Sequence, residues 1–141
     1  QKDQKQFVML TDTGYVSEKL RRLLYNADAY LMESNHDVDM LRMGNYAWHL
    51  KQRILSDKGH LSNTDSANYL TKIVGSNTKN VLLAHLSEQN NTKELARMAA
   101  AMTLKNKDID CETAGNKHID CNDKIIIMDT DPAIPTRIIE I

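Results

Sequence analysis

Asn80-Val81-Leu82-Leu83-Ala84-His85-Leu86-Ser87-Glu88-Gln89-Asn90-Asn91-Thr92 is the stretch that decides the fold. Its apolar start reads as a buried strand over 80–84, and His85 stands at the strand's end. Thr92 then opens a long amphipathic helix containing Leu95, Met98, Ala99 and Met102. The same order recurs upstream. Phe7-Val8-Met9-Leu10 is a short apolar strand running into Thr11-Asp12-Thr13-Gly14, and Ser17 can cap a helix with Leu20, Leu23 and Leu24 at i, i+3 and i+4, stopped at Asn26. A strand over 29–32 follows and ends in Glu33-Ser34-Asn35-His36-Asp37, where Asp37 reads as a helix cap. A middle stretch of helical character, 49–55, leads to Gly59-His60-Leu61-Ser62-Asn63, where Ser62 or Asn63 can cap a helix through Leu70 and Val74. Two more strands are expected in the tail, over 124–128 and 137–141. Alternation of this kind argues an α/β layered domain, in which ligands gather beyond the carboxyl ends of the strands.

The bulk numbers set the bounds. With 141 residues, 41% hydrophobic and 26% charged, the chain has the composition of one globular domain, 1–141, without an internal boundary. A domain this size buries roughly 68–70% of its extended surface and needs no covalent staples. The formal net charge of −1 gives no general hold on a phosphate backbone, so any nucleic-acid binding must come from a local site. Cys111 and Cys121 are too few for a disulfide framework, and a reducing cytoplasm is the expected location. No stretch approaches the roughly 18 apolar residues of a membrane span, so no membrane association is expected. The absence of an initial Met, with an apolar strand starting at Phe7, suggests a cut through a longer protein.

Asp12, Glu33, His36, His60 and His85 all fall in polar segments after a strand or before a helix, not on an amphipathic face. Carboxylate and imidazole suit Zn²⁺ and Mn²⁺, and a carboxylate can bridge two such ions in a hydrolytic site. Spacing alone leaves other readings open, for no His-x-His pair is present. Asp12 also suits a turn, Glu33 an exposed strand end, His60 a brace for its loop, and His85 a satisfied core position. His49, beside Trp48 and Tyr46, is expected to pack, and Met98 and Met102 are expected in the core. Lys51, Arg53 and Lys58 are expected on a solvated face, although they precede Gly59-His60 and could guide a phosphate backbone. Cys111, His118 and Cys121 match no closed zinc motif.

Thr11-Asp12-Thr13-Gly14-Tyr15, Glu33-Ser34-Asn35-His36-Asp37, Gly59-His60-Leu61-Ser62-Asn63 and Ala84-His85-Leu86-Ser87-Glu88-Gln89-Asn90-Asn91, in this order, resemble the YycJ/WalJ branch of the metallo-β-lactamase fold, a family of bacterial exonucleases. The resemblance covers nearly the whole chain. A looser likeness joins the same segments to the second half of the RNA-processing β-CASP nucleases. The resemblance implies the C-terminal half of an αββα sandwich. It implies Asp12 as the carboxylate bridging two divalent ions, Zn²⁺ or Mn²⁺, and His85 as the last histidine ligand. It makes Glu33 the acceptor of a hydrogen bond from a ligand imidazole. His36 and His60 become the catalytic histidines, touching the scissile phosphate or protonating the leaving oxygen, while Asn35 and Asn63 donate to phosphate oxygens. The implied activity is metal-dependent phosphodiester hydrolysis, with DNA before RNA as substrate and digestion from a 5′ end. The family's His-x-His-x-Asp-His motif is not in this sequence. An N-terminal half carrying it is therefore the expected partner, homo-oligomers are possible, and the chain alone is expected to be inactive. The alternatives are an inactive remnant or binding domain, and a small-molecule hydrolase on the same fold.

Overall fold

The computed structural model describes residues 4–114, 123–136 and 139. Its centre is a five-stranded, wholly parallel sheet in the order β1-β2-β3-β5-β4, formed by β1 (Phe7–Leu10), β2 (Ala29–Glu33), β3 (Asn80–Ala84), β5 (Ile125–Asp129) and β4 (Cys111–Thr113). The helices are α1 (Glu18–Leu24), α2 (Val38–Met43), α3 (Trp48–Ile54), α4 (Asn63–Ile73) and α5 (Lys93–Lys105). The caps fall where the sequence places them. Ser17, Asp37, Ser62 and Thr92 each accept a hydrogen bond from a backbone N–H in the first turn of α1, α2, α4 and α5.

Alternation along the strands sorts side chains onto two faces. Val8, Tyr30, Val81 and Ile127 lie in register across the sheet and join one core with Leu70 and Ile73 of α4 and Ala96, Ala100 and Leu104 of α5. Each large aliphatic side chain buried there contributes roughly 1.5–3 kcal/mol. Tyr30 is fully buried, and its hydroxyl accepts from the Ala27 N–H at 3.0 Å and lies 2.7 Å from the Ile73 carbonyl, tying β2 to the end of α4. On the opposite face the next row is Met9, Leu31, Leu82 and Met128. Leu82 and Met128 are buried with Ile126, whereas Met9 is 64% exposed and Phe7 is 49% exposed.

Four expectations are corrected. Met98 and Met102 are exposed, because the core stripe of α5 is Ala96, Ala100 and Leu104, four residues apart, whose small members let the helix lie close on the sheet. Trp48 and His49 do not pack but lie exposed at the start of α3. Lys51 is buried, and its Nζ donates to the carbonyls of Arg42 and Gly44 at 2.6 Å each, pinning the turn between α2 and α3. The segment after α5, read only as a link, contains β4, whose Cys111 is buried against the main core. His118, Cys121 and all but Ile139 of the expected 137–141 strand lie outside the described residues. Among the described residues, no helix is long and apolar enough to cross a membrane.

Candidate metal centre

β1, β2 and β3 are neighbours and parallel, so their carboxyl ends present Asp12, Glu33 and His85 along one edge of the sheet. Asp12 and His85, each just past its strand, have φ of 56° and 57°. This left-handed conformation costs an L-residue roughly 1–2 kcal/mol, and Asp and His are among the residues that tolerate it best. The neighbouring turn holds His85 there: the Asn35 side-chain amide donates to the His85 carbonyl at 2.8 Å, and the Ser87 N–H donates to the Asn35 carbonyl at 2.7 Å. His60 arrives from the loop between α3 and α4. The loops bearing Asp12 and His60 touch backbone to backbone, for a Cβ at Gly14 would stand 2.1 Å from the Ser56 carbonyl oxygen, and the His60 loop folds back on the end of α3, for a Cβ at Gly59 would stand 2.1 Å from the Ile54 carbonyl oxygen. Only glycine permits these approaches.

Glu33 is the hub. It is fully buried, and a carboxylate removed from water needs donors. One of its oxygens lies 2.7 Å from Nδ1 of both His60 and His85, while the other accepts from the Thr13 N–H at 3.0 Å. With Nδ1 of each ring turned to Glu33, Nε2 faces outward, and the two rings meet edge to face with centroids 5.1 Å apart. Asp12 is the most open member, its side chain 71% exposed and its carboxylate 3.7 Å from His85 and 4.0 Å from His60. Each of the four residues offers a ligand atom, and these atoms lie within 4.8 Å of one another. Two imidazoles and two carboxylates at strand ends are a donor set that suits a divalent ion such as Zn²⁺ or Mn²⁺.

The other sequence-nominated residues divide. His36 is 1% exposed, and neither ring nitrogen has a partner. Burial pushes its pKa below the ordinary histidine value, which favours the neutral ring. Asn63 is also buried, and its amide exchanges hydrogen bonds with that of Asn91 at 2.8 and 2.9 Å while accepting from the Ser34 hydroxyl at 2.7 Å. These bonds hold the ends of β2, α4 and α5 together and occupy the Asn63 amide within the protein. Asn35 likewise uses its amide to fix His85. Asn91 was missed as a functional residue, although it stands in the polar run after His85; its side chain also donates to the Ser34 carbonyl at 2.8 Å. A cavity of about 540 Å³ opens beside the cluster and is bordered by Asp12, His60 and His85.

Comparisons with known proteins place this geometry in context. No family model matches the sequence. The chain is 56% identical over 108 residues to the exodeoxyribonuclease WalJ of Streptococcus pneumoniae, in strains D39 and R6 alike, an alignment covering 77% of this chain and 40% of the relative. It is 44% identical over 134 residues to the exodeoxyribonuclease YycJ of Bacillus anthracis, covering 95% of this chain and 47% of the relative. Its fold resembles the crystal structure of the metallo-β-lactamase fold protein YhfI from Bacillus subtilis, with a TM-score of 0.53 and 16% identity over 89% of this chain and 37% of the other. The chain thus spans less than half the length of the curated relatives it matches, and its parallel sheet with helices belongs to the metallo-β-lactamase fold.

Proposed function

We propose that this chain, which belongs to the WalJ/YycJ family of metallo-β-lactamase-fold proteins, supplies part of the active site of a metal-dependent nuclease that hydrolyses DNA phosphodiesters from a 5′ end. The observation that carries the reading is the convergence of Asp12, Glu33, His60 and His85 from three strand ends and one loop, in a chain whose relatives are named exodeoxyribonucleases. Asp12 and His85 would hold divalent ions, Zn²⁺ or Mn²⁺. Bound there, such ions supply Lewis-acid polarisation of the phosphate and an activated water.

The chain's own residues do the rest. Glu33 fixes both imidazoles through Nδ1, which sets their tautomer and keeps Nε2 of each ring available. His60 is the general acid. Its Nε2 gives a proton to the departing sugar oxygen, and the Glu33 carboxylate at its Nδ1 orients the ring for the transfer. His85 shares that carboxylate, so proton donor and metal ligand are oriented by one oxygen atom. A single Asp and a single His do not complete a two-ion site, so the remaining ligands come from a further segment bearing His-x-His-x-Asp-His, as the resemblance implies.

The test is hydrolysis of a 5′-labelled DNA oligomer by the full-length protein. The reading expects cleavage that EDTA stops and Mn²⁺ or Zn²⁺ restores, with products accumulating from the 5′ end. Hydrolysis of a small ester without any DNA cleavage would sink it.

A further inference from the structure

The cavity beside the cluster is larger than a scissile phosphate needs. Its volume of about 540 Å³ lies within the roughly 300–1,000 Å³ of pockets that enclose small ligands. Leu50, Arg53 and Ile54 of α3 border it at i, i+3 and i+4, so one face of that helix forms the wall. Lys58, from the loop leading to His60, and Tyr46, from the turn between α2 and α3, complete that side. Neither Arg53 nor Lys58 has an ion-pair partner among the described residues. The turn carrying Tyr46 is set by buried Lys51, whose ammonium holds the Arg42 and Gly44 carbonyls. His36 borders the same space, with both ring nitrogens unpartnered although the residue is 1% exposed. A buried imidazole without a protein partner at a cavity wall leaves its hydrogen-bonding capacity open to the cavity.

We propose that this cavity is a nucleotide subsite: it takes one unpaired nucleotide of the DNA strand next to the scissile phosphate, with its phosphate on Arg53 and Lys58 and its base against the Tyr46 ring. The proposal rests on the nuclease reading above and adds to it the form of the substrate, single-stranded where it enters. Two cations off one wall position a phosphate without reading sequence. A tyrosine face accepts any base by stacking. A base stacked on the tyrosine ring has left its place in a duplex stack, so the strand must be open there.

Binding of a fluorescein-labelled single-stranded DNA oligomer to the full-length protein, followed by anisotropy in EDTA so that nothing is cut, tests the subsite. Tyr46→Ala is expected to weaken binding roughly 5- to 150-fold. Tyr46→Phe is expected to stay within about twofold of the wild type, because the stacking face is kept. The double variant Arg53→Gln/Lys58→Gln is expected to reduce the slope of log K against log salt by roughly 0.7, one phosphate contact of a single strand. Unchanged affinity in Tyr46→Ala, or an unchanged slope in the double variant, overturns the assignment. If the wild type still cuts DNA in that case, the nuclease reading stands and only the subsite falls. A wild type that neither binds nor cuts DNA removes both.

Discussion

Acidic residues close β1, β2 and β5 along the same edge of the sheet, yet the two sides of β3 treat them differently. At the end of β5, Asp129 is buried and pairs with Arg97 and Lys93, and Asp131 just beyond pairs with Lys93 as well. Both cations come from the first turns of α5, so the helix that packs there also neutralises the strand end. On the other side, Asp12 and Glu33 meet imidazoles, and no Lys or Arg is paired with either among the described residues. An acid at a strand terminus is therefore not in itself a site. It becomes one where the fold withholds a permanent cation and supplies groups whose charge can change or which can bind a metal.

The strongest way to break this comparison is to remove the open acid. Asp12→Asn keeps a residue that tolerates the left-handed backbone but removes the charge. In the full-length protein, DNA hydrolysis should fall by roughly three orders of magnitude or more, since metal stabilisation contributes several kcal/mol. The thermal melt should remain close to that of the wild type, because the side chain is 71% exposed. Near-normal turnover by the folded variant would make Asp12 a turn residue like Asn26, which shares its positive φ.

His60 sharpens the same contrast, because it touches the cluster and yet is assigned a proton rather than an ion. His60→Ala should lower turnover roughly 10²- to 10⁴-fold while elemental analysis finds the bound metal retained. Should the metal leave with the imidazole, His60 is a ligand, and Glu33 orients two ligands rather than a ligand and an acid.

How much of this was legible in the sequence depended on the range of the interaction. Strand ends and caps are local, so the placing of Asp12 and His85 just past strands and the caps Ser17, Ser62 and Thr92 followed from a few neighbouring residues. The sharing of one Glu33 oxygen by His60 and His85 was not legible. Those residues lie 27 and 52 positions from Glu33; the pairing of β2 with β3 brings His85 to it, and the loop between α3 and α4 brings His60. The resemblance supplied the role of Glu33 as an acceptor without its double use. Helical spacing put Met98 and Met102 inside because hydrophobicity outranks size in such a reading, whereas close packing on a sheet selects the alanine stripe. Lys51 failed for a related reason. Nothing local distinguishes a solvated lysine from one folded back onto two carbonyls.

The neutralised side should answer to mutation in stability rather than in chemistry. Asp129→Ala strands Arg97 and Lys93 beside a buried strand end. Partial exposure of both cations lowers the usual penalty for breaking a buried pair to about 2–3 kcal/mol. Urea denaturation should show that loss, and the folded full-length variant should cleave DNA within about threefold of the full-length wild type. A variant of full stability and lost activity would move the functional edge across β3 and undo the comparison.

The smallest effect concerns His36, the most buried histidine among the described residues. Burial lowers its folded-state pKa below the ordinary value of 6.5, so the unfolded chain takes up its proton first as pH falls. Its contribution to stability is therefore complete above about pH 6.5 and is lost as the pH falls toward and through the folded value. Urea denaturation at pH 7.5 and at pH 5.5 should show a fall in stability for the wild type that is smaller in His36→Gln, which cannot titrate. The other histidines are common to both proteins and drop out of the difference. An equal fall in the two proteins would mean that the folded His36 accepts its proton as readily as the unfolded one. The ring would then be reached by water or by a carboxylate, and it would belong with His60 and His85 among the histidines of the open edge.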